Sequence, residues 1–561
     1  MSFELEHDWQ ATFATPKPRI GEAAKIRLLL LLCALWLGLG LIGHQPWKPD
    51  EAQAASVVKH ILASHDLVEL QMAGQPAPQI APLYYLSAAG SAALFSPWLS
   101  MHDAARLASA FWMALTLLMV GMTGRELWGQ GSGRQTTLVF LASIGLVISA
   151  HMLTPDIAGL TGYAMAFYAL ALSTCRPLRA GLLLGAGCGI AFLAAGTLAL
   201  GIVAVTAITL PLVSSHWRGK AYATVLLVAL ITAAIPIAGW LMALWQQAPQ
   251  MLQTWLAVAQ PKFGHGNLLY LCKTLSWYTW PALPLAAWLL WRERQRIPSS
   301  PPLQLALTFL SVLLIALGSA AENRVITALP LLLPIAIIGG GAVDTLRRGA
   351  ASALDWFGIT LFGLLGFTIW LGWFAMMSGF PAKTAARMHK LSSAYVPQFS
   401  WSVFLAGLIL TLLWLLVVSK GKRSNRAIVT DWAVGITMTW GLLMTLWLPW
   451  LDSTKSYRAM IASMEIAMPS HPSCVTVRGL GSSQRAILDY YTNLHIEVFE
   501  ASQQTNCDLY LIQDEKSHTK IEPGEGWNPL WNGRRPSDRR ESFRLFQHSS
   551  AVSASAKTNT P

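Results

Sequence analysis

Long apolar runs separated by short polar connections occupy most of the first 450 residues. They lie near 26–43, 104–124, 135–151, 157–174, 180–194, 197–213 and 221–245, and again near 271–291, 303–320, 325–343, 354–377, 400–419 and 430–450. Most come close to the roughly 18 apolar residues with which a helix crosses a bilayer. The pattern predicts a mainly α, polytopic membrane protein of about thirteen transmembrane helices.

A further apolar stretch, Leu83–Leu99, tests that count. The basic clusters Arg125/Arg134, Arg176/Arg179, Arg218/Lys220, Arg292/Arg294/Arg296, Arg347/Arg348 and Lys420/Lys422/Arg423/Arg426 occur at every second connection. If Leu83–Leu99 crossed the bilayer, all of them would face outward, against the positive-inside rule. If it re-enters or lies in the interface, all face the cytoplasm. The expected organisation is then a cytoplasmic tail over 1–25, an uncleaved first span, a membrane domain over 26–451, and a C-terminus outside. Within the membrane domain, residues 44–103 form a first outer loop with juxtamembrane helices.

After residue 451 the pattern changes to mixed polar sequence. Ser456–Met468 reads as an amphipathic helix and Ser482–Tyr491 as a second helix. The runs beginning at Cys474 and Cys507 read as short strands, giving a small extracytoplasmic α/β domain over 452–547 and a polar, low-complexity tail over 548–561. Cys474 and Cys507 both stand at strand entrances, so an oxidising compartment would let them pair; two free thiols is the alternative.

Composition narrows the class. With 54% hydrophobic and 12% charged residues, the chain is far from a soluble domain, for which about 25% charged is usual. The net charge of +12 sits in the connections between spans, so topology rather than nucleic acid explains it. The 25 tryptophans suit the membrane interface.

The polar segment Lys48–Tyr85 opens with two adjacent carboxylates, Asp50 and Glu51. The connection Leu153-Thr154-Pro155-Asp156 brings a third, Asp156, to the same side by the parity argument. Either Asp50 or Asp156 could simply start a helix. Together on one membrane face they point to chemistry. The same parity gathers the loops 246–270, 322–324 and 378–400. These supply cations for an anionic group: Arg324, Lys262, His265 and Lys273, with Arg106 beyond the first loop. Histidine spacing shows no metal motif; a divalent-metal requirement is left open, with no metal ligands assigned. Glycines 181, 185, 187 and 189 read as close helix packing rather than a nucleotide loop.

Pro49-Asp50-Glu51, then His60 to Val68, Gly74-Gln75-Pro76, Ala81 to Tyr85, Ala104 to Leu107, and the LTPD turn at 153–156 resemble the C-type glycosyltransferases. The likeness is to the 4-amino-4-deoxy-L-arabinose transferases acting on lipid A and to the related protein mannosyltransferases; NRVITALPLLLP at 323–334 resembles a later span of that family. The resemblance implies a bacterial inner-membrane enzyme with its site on the periplasmic face. Its donor would be a polyprenyl-phosphate-linked sugar and its acceptor a lipid or other envelope glycan, with inversion at the anomeric carbon. Asp50, Glu51 and Asp156 would be the catalytic carboxylates, with Tyr84 and Tyr85 supporting the loop. The sequence departs from the family at Ala52-Gln53, at Ile80 in place of a phosphate-contacting lysine, and at Thr327 in place of a tyrosine. Phosphate binding then falls to Arg324 first. Two other readings remain at this point: a transporter or flippase for a lipid-linked glycan, and an inactive relative acting as a scaffold.

Overall fold

The computed structural model describes residues 21–258, 264, 268–320, 324–392, 395–420, 424–469, 472, 474–499, 507–515, 522–535, 537–538 and 541–549. Helix α1 (Glu22–Gly38) leads into the first loop, which holds α2 (Asp50–Ser64), the small ribbon β1 (Gln71–Met72) with β2 (Gln75–Pro76), and α3 (Pro82–Phe95). Next come α4 (Met101–Trp128), α5 (Ser132–Leu141), α6 (Ile144–Ser149), α7 (Asp156–Leu172), α8 (Pro177–Val213), α9 (Lys220–Gln247) and α10 (Pro249–Val258). The second half has α11 (Leu268–Tyr278), α12 (Ala282–Arg292), α13 (Pro301–Gly318), α14 (Leu329–Ala342), α15 (Arg348–Ser378), α16 (Ala382–Leu391), α17 (Trp401–Lys420) and α18 (Asn425–Leu446). Helices α19 (Leu448–Lys455), α20 (Arg458–Ala467) and α21 (Ser482–Tyr491) belong to the C-terminal part, with strands β3 (Cys474–Arg478), β4 (His495–Val498), β5 (Leu509–Glu515), β6 (Trp527–Gly533) and β7 (Glu541–His548).

The protein is mainly helical, and eight of the described helices are long and apolar enough to cross a membrane. The expected spans 180–194 and 197–213 are the two arms of one element, and two other expected spans are broken. The 37-residue α8 turns back on itself at Gly196 (φ 78°), where only glycine is unstrained. Its first arm runs parallel to α9: Gly181 approaches Val228, Gly185 approaches Ala229 and Gly189 approaches Pro236. A Cβ at Gly185 would stand 2.6 Å from the Ala229 carbonyl oxygen, so the small residues set the interaxial distance. The second arm lies back along α9, where the Tyr222 hydroxyl donates to the Ala207 carbonyl at 2.7 Å.

The expected spans 135–151 and 271–291 are both broken, one between α5 and α6, the other between α11 and α12 around Pro281. The breaks face each other. Ile144 N–H donates to the Trp280 carbonyl at 3.1 Å, and the Ser149 and Tyr278 hydroxyls are 3.1 Å apart. Interrupted helices in an apolar surrounding persist only where a neighbour takes up the freed backbone groups. The stretch 83–99 is the 14-residue α3, too short to span, and it packs along α4.

The basic connections share one end of the bundle. Arg426 pairs with Asp344 at 2.6 Å and reaches Gly131, Arg134 reaches Glu22, and Arg292 donates to the Thr345 carbonyl. The first loop and the C-terminal domain sit at the other end. That domain is a five-stranded sheet in the order β4-β3-β5-β7-β6, parallel through β4, β3 and β5 and antiparallel through β7 and β6. Alternate residues Val475/Val477, Leu509/Leu511 and Phe543/Leu545 bury one face against Ile461, Met464, Ile487 and Leu488 of α20 and α21. Ala52 of α2 joins the same core, so the domain and the first loop pack as one body. Cys474 and Cys507 are bonded, tying the entrance of β3 to that of β5.

Candidate active site

Two helices at the loop end begin with the same dipeptide. Pro49-Asp50 opens α2 and Pro155-Asp156 opens α7. Proline fixes φ and is at home at a helix start. The residue before each helix is a proline with no polar side chain to cap it, and Asp50 and Asp156 stand in the first turn. Both carboxylates line one cavity of about 650 Å³. Thr154 Oγ1 donates to Asp156 at 2.6 Å and fixes its rotamer. Arg324, from the segment before α14, enters the same cavity and pairs with Asp50.

The remaining wall is amphipathic. Gln53, Gln79 and Tyr85 add polar groups, and Ala194, Ala195, Leu198, Trp255, Ala316 and Leu317 add small and aromatic apolar surface. Tyr85 carries its hydroxyl into this charged setting. Burial, then Asp156 and Asp50, push its phenol well above the ordinary range, so it stays a neutral donor. Ile80 and Thr327, the two departures from the family pattern, are both part of the wall.

Glu51 and Arg106 belong elsewhere, and the sequence expectation is corrected for both. Adjacent residues on a helix point about 100° apart, so Asp50 faces the cavity while Glu51 faces the interior at 0% exposure. Glu51 accepts from Arg106 Nε at 2.8 Å, from Leu153 N–H at 3.1 Å and from Trp47 N–H at 2.9 Å. Arg106 spends its other donors on the His44 carbonyl, Asp103, His44 Nδ1 and the Gln45 carbonyl, at 2.8–3.2 Å. With every N–H engaged and no exposed surface, Arg106 has nothing to offer a phosphate. Burial alone would raise the Glu51 carboxyl. Arg106, His44 and the Trp47 N–H outweigh it and hold the carboxyl below the usual range. Glu51 is thus a strut joining the first loop, α4 and the turn that carries Asp156.

Among the other expected residues, Lys273 sits exposed on α11 and is not part of the cavity wall. Lys262 and His265 lie outside the described residues. Tyr84 is buried, with its hydroxyl 2.6 Å from Ser109 Oγ, which in turn donates to the Met152 carbonyl at 2.8 Å. Sequence reasoning missed Gln53, Gln79, Trp255 and the α8 hairpin as wall elements. Only the hairpin had a readable signal, in the Gly196 break between two apolar runs.

The chain matches no family model. It is 26% identical over 422 residues to an undecaprenyl phosphate-alpha-4-amino-4-deoxy-L-arabinose arabinosyl transferase of Serratia proteamaculans, covering 71% of this chain and 72% of the relative. A protein of the same name from Pseudomonas aeruginosa is 27% identical over 60% of this chain and 63% of its own length, so the alignment spans less than two thirds of that relative. The crystal structure of ArnT from Cupriavidus metallidurans bound to undecaprenyl phosphate superposes with a TM-score of 0.69 over 94% of this chain and 98% of that one, at 14% identity. The chain has the fold of that protein. The resemblance to the C-type glycosyltransferases seen in the loop residues therefore extends to the architecture.

Proposed function

We propose that this protein is an inner-membrane glycosyltransferase that moves a single sugar from an undecaprenyl-phosphate carrier to lipid A or another envelope acceptor, with aminoarabinose the first candidate sugar. The observation that carries the reading is the cavity itself. Two carboxylates and an arginine share it with small apolar surface, which suits a donor that is sugar, phosphate and lipid at once. Relatives named for this transfer and the shared fold support it.

The membrane placement belongs to the same proposal. Thirteen crossings follow if α1, α4, α5 with α6, α7, each arm of α8, α9, α11 with α12, α13, α14, α15, α17 and α18 each span once. The basic end then faces the cytoplasm, as the positive-inside rule requires. The first loop, the cavity and the disulfide-bearing domain face the periplasm, where disulfides persist.

In the reaction, an acceptor oxygen attacks the anomeric carbon opposite the phosphate. The bond from that carbon to the phosphate oxygen breaks, and the lipid phosphate leaves with the electron pair. Arg324 is placed to share itself between Asp50 and the departing phosphate, stabilising the charge as it grows. Asp50 takes the proton of a hydroxyl acceptor, or orients an acceptor that is already a phosphate anion. Asp156 holds sugar hydroxyls or supports the loop.

The test is mass spectrometry of envelope lipids from cells expressing wild type, Asp50→Asn or Asp156→Asn at matched levels. A sugar-sized mass increment present with wild type and lost with Asp50→Asn is expected, and its mass names the sugar class. Lipids indifferent to Asp50 would exclude a lipid acceptor, and a glycoprotein scan equally indifferent to Asp50 would sink the reading and favour a scaffold or transporter.

A further inference from the structure

Basic residues are sparse on the outer side of most membrane proteins. The connection 379–400 breaks that expectation: it carries Lys383, Arg387, His389 and Lys390 with no Asp or Glu. Its helix α16 lies at the cavity end of the bundle, fastened to α19. Trp450 Nε1 donates to the Met388 carbonyl at 3.2 Å, and the Ser392 and Ser453 hydroxyls are 2.8 Å apart. Asp452, on the same α19, accepts from Gln45 N–H and Trp47 Nε1 of the first loop.

Lys383, Arg387 and Lys390 recur at i, i+4 and i+7, which puts them on one stripe. All three are exposed, while Thr384, Ala385 and Met388 turn toward the protein. Among the described residues none of the three pairs with a carboxylate. The segments flanking α16 carry exposed apolar side chains: Phe380 is 69% exposed, Val396 74%, Phe399 53% and Trp401 69%, the last two resting on each other and on Phe404 with much of their surface still open. Isolated surface lysines are ordinary. An acid-free cationic stripe flanked by exposed aromatic surface, at the ends of spanning helices, is the geometry of a helix lying in the lipid interface.

We propose that α16 is a lipid-recognition element, binding the phosphate-bearing headgroups of anionic membrane lipids with Lys383, Arg387 and Lys390 while Phe380 and Trp401 sit at the acyl boundary. The three cations fit phosphate by charge, and the aromatic flank fits a bilayer edge better than an acidic protein surface. The inference rests on the outer placement of this loop, but not on sugar transfer.

Native mass spectrometry of the purified full-length chain, given equal phosphatidylglycerol and phosphatidylcholine, is the experiment. Wild type should retain phosphatidylglycerol preferentially, and about 0.5 M salt should remove much of the preference by screening. The triple variant Lys383→Gln/Arg387→Gln/Lys390→Gln should lose the preference, about fivefold or more, with unchanged apparent Tm. No preference in wild type, an unaltered preference in the folded triple variant, or binding of polyglutamate but not of phosphatidylglycerol would each overturn the proposal. A separate arm labels Ala386→Cys, in a Cys272→Ser background, with a membrane-impermeant maleimide in spheroplasts. Labelling is expected; labelling only after lysis would overturn the outer placement and the orientation proposed above. A lost lipid preference with labelling intact overturns only the role of α16.

Discussion

Asp50 and Glu51 are neighbours in sequence with opposite assignments, and each makes a separate prediction. Asp50 meets Arg324 in the cavity. Removing the guanidinium by Arg324→Ala should lower kcat/KM for the lipid-linked donor by about 100-fold, the usual loss of one charged donor to a developing anion. Ile80 lines the same wall where the family resemblance places a lysine. Ile80→Lys in the Arg324→Ala background should therefore recover about tenfold of that loss. Donor titrations with the four proteins of this cycle decide it; no recovery would mean that Ile80 does not face the phosphate. Glu51 acts on folding instead. Glu51→Gln leaves Arg106 with Asp103 as its remaining carboxylate partner and should cost about 2 kcal/mol, read as a lower apparent Tm in detergent. Because the folded carboxyl is held low, its contribution is complete above the unfolded value of about 4.3 and fades as pH falls through the lower folded value. The gap between wild type and Glu51→Gln should thus stay constant between about pH 8 and about pH 5 and narrow in stronger acid. The sequence showed that this acidic pair was unusual for its place. It could not show which member faced inward, because Glu51's partners, Arg106 and Leu153, come from distant segments.

At the scale of elements, apolar length was readable and interruption was not. The α8 hairpin was visible as two apolar runs meeting at Gly196, and the four glycines that follow Arg179 were visible as a packing face. Two alanine substitutions separate these roles. At Gly196 nothing lies within 4 Å of a new Cβ, so Gly196→Ala meets only backbone strain, about 1–3 kcal/mol at a φ/ψ that glycine alone enters freely. At Gly185 the backbone is helical but the new Cβ meets the Ala229 backbone, so Gly185→Ala must push α8 from α9 and should cost about 2–3 kcal/mol. Thermal melts in detergent check both, and a neutral Gly185→Ala would contradict the close packing described here. The breaks at Ser143 and Pro281 were not legible as a pair, since each is harmless only because Ile144 can donate to Trp280 across the bundle. In the C-terminal domain the strands opening at Cys474 and Cys507 and the helix 482–491 were evident. Strands β6 and β7 were overlooked, because Pro529 and short polar alternation hide them until β5 provides an edge to pair with.

For the whole molecule, the question is why a membrane enzyme would carry a small sheet domain beside its cavity. The contacts answer in terms of α2, the helix that begins with Asp50. Asp489 of α21, itself buried, accepts from Ser56 Oγ at 2.5 Å and lies 3.1 Å from His60 Nε2. Gln53, one of the cavity-lining residues, donates to Ser482 at 2.9 Å, and Lys48 pairs with Glu541 of β7. The domain therefore grips α2 along its length and holds Asp50 against Arg324 and Asp156. A disulfide closing a loop 33 residues apart strengthens the part doing the gripping. If positioning is the domain's task, loosening the grip should slow the reaction without weakening the donor, since misplacing a catalytic group costs rate rather than affinity. Asp489→Ala removes the acceptor shared by Ser56 and His60 and touches neither cavity nor membrane. The expected outcome is a kcat about tenfold lower with donor KM nearly unchanged, and Asp489→Asn, which keeps one acceptor oxygen, should fall between. Steady-state transfer with purified protein separates the two constants. A raised KM at normal kcat would show instead that the domain helps to form the donor site, and equal loss in both variants would point to the charge of Asp489 rather than its hold on α2.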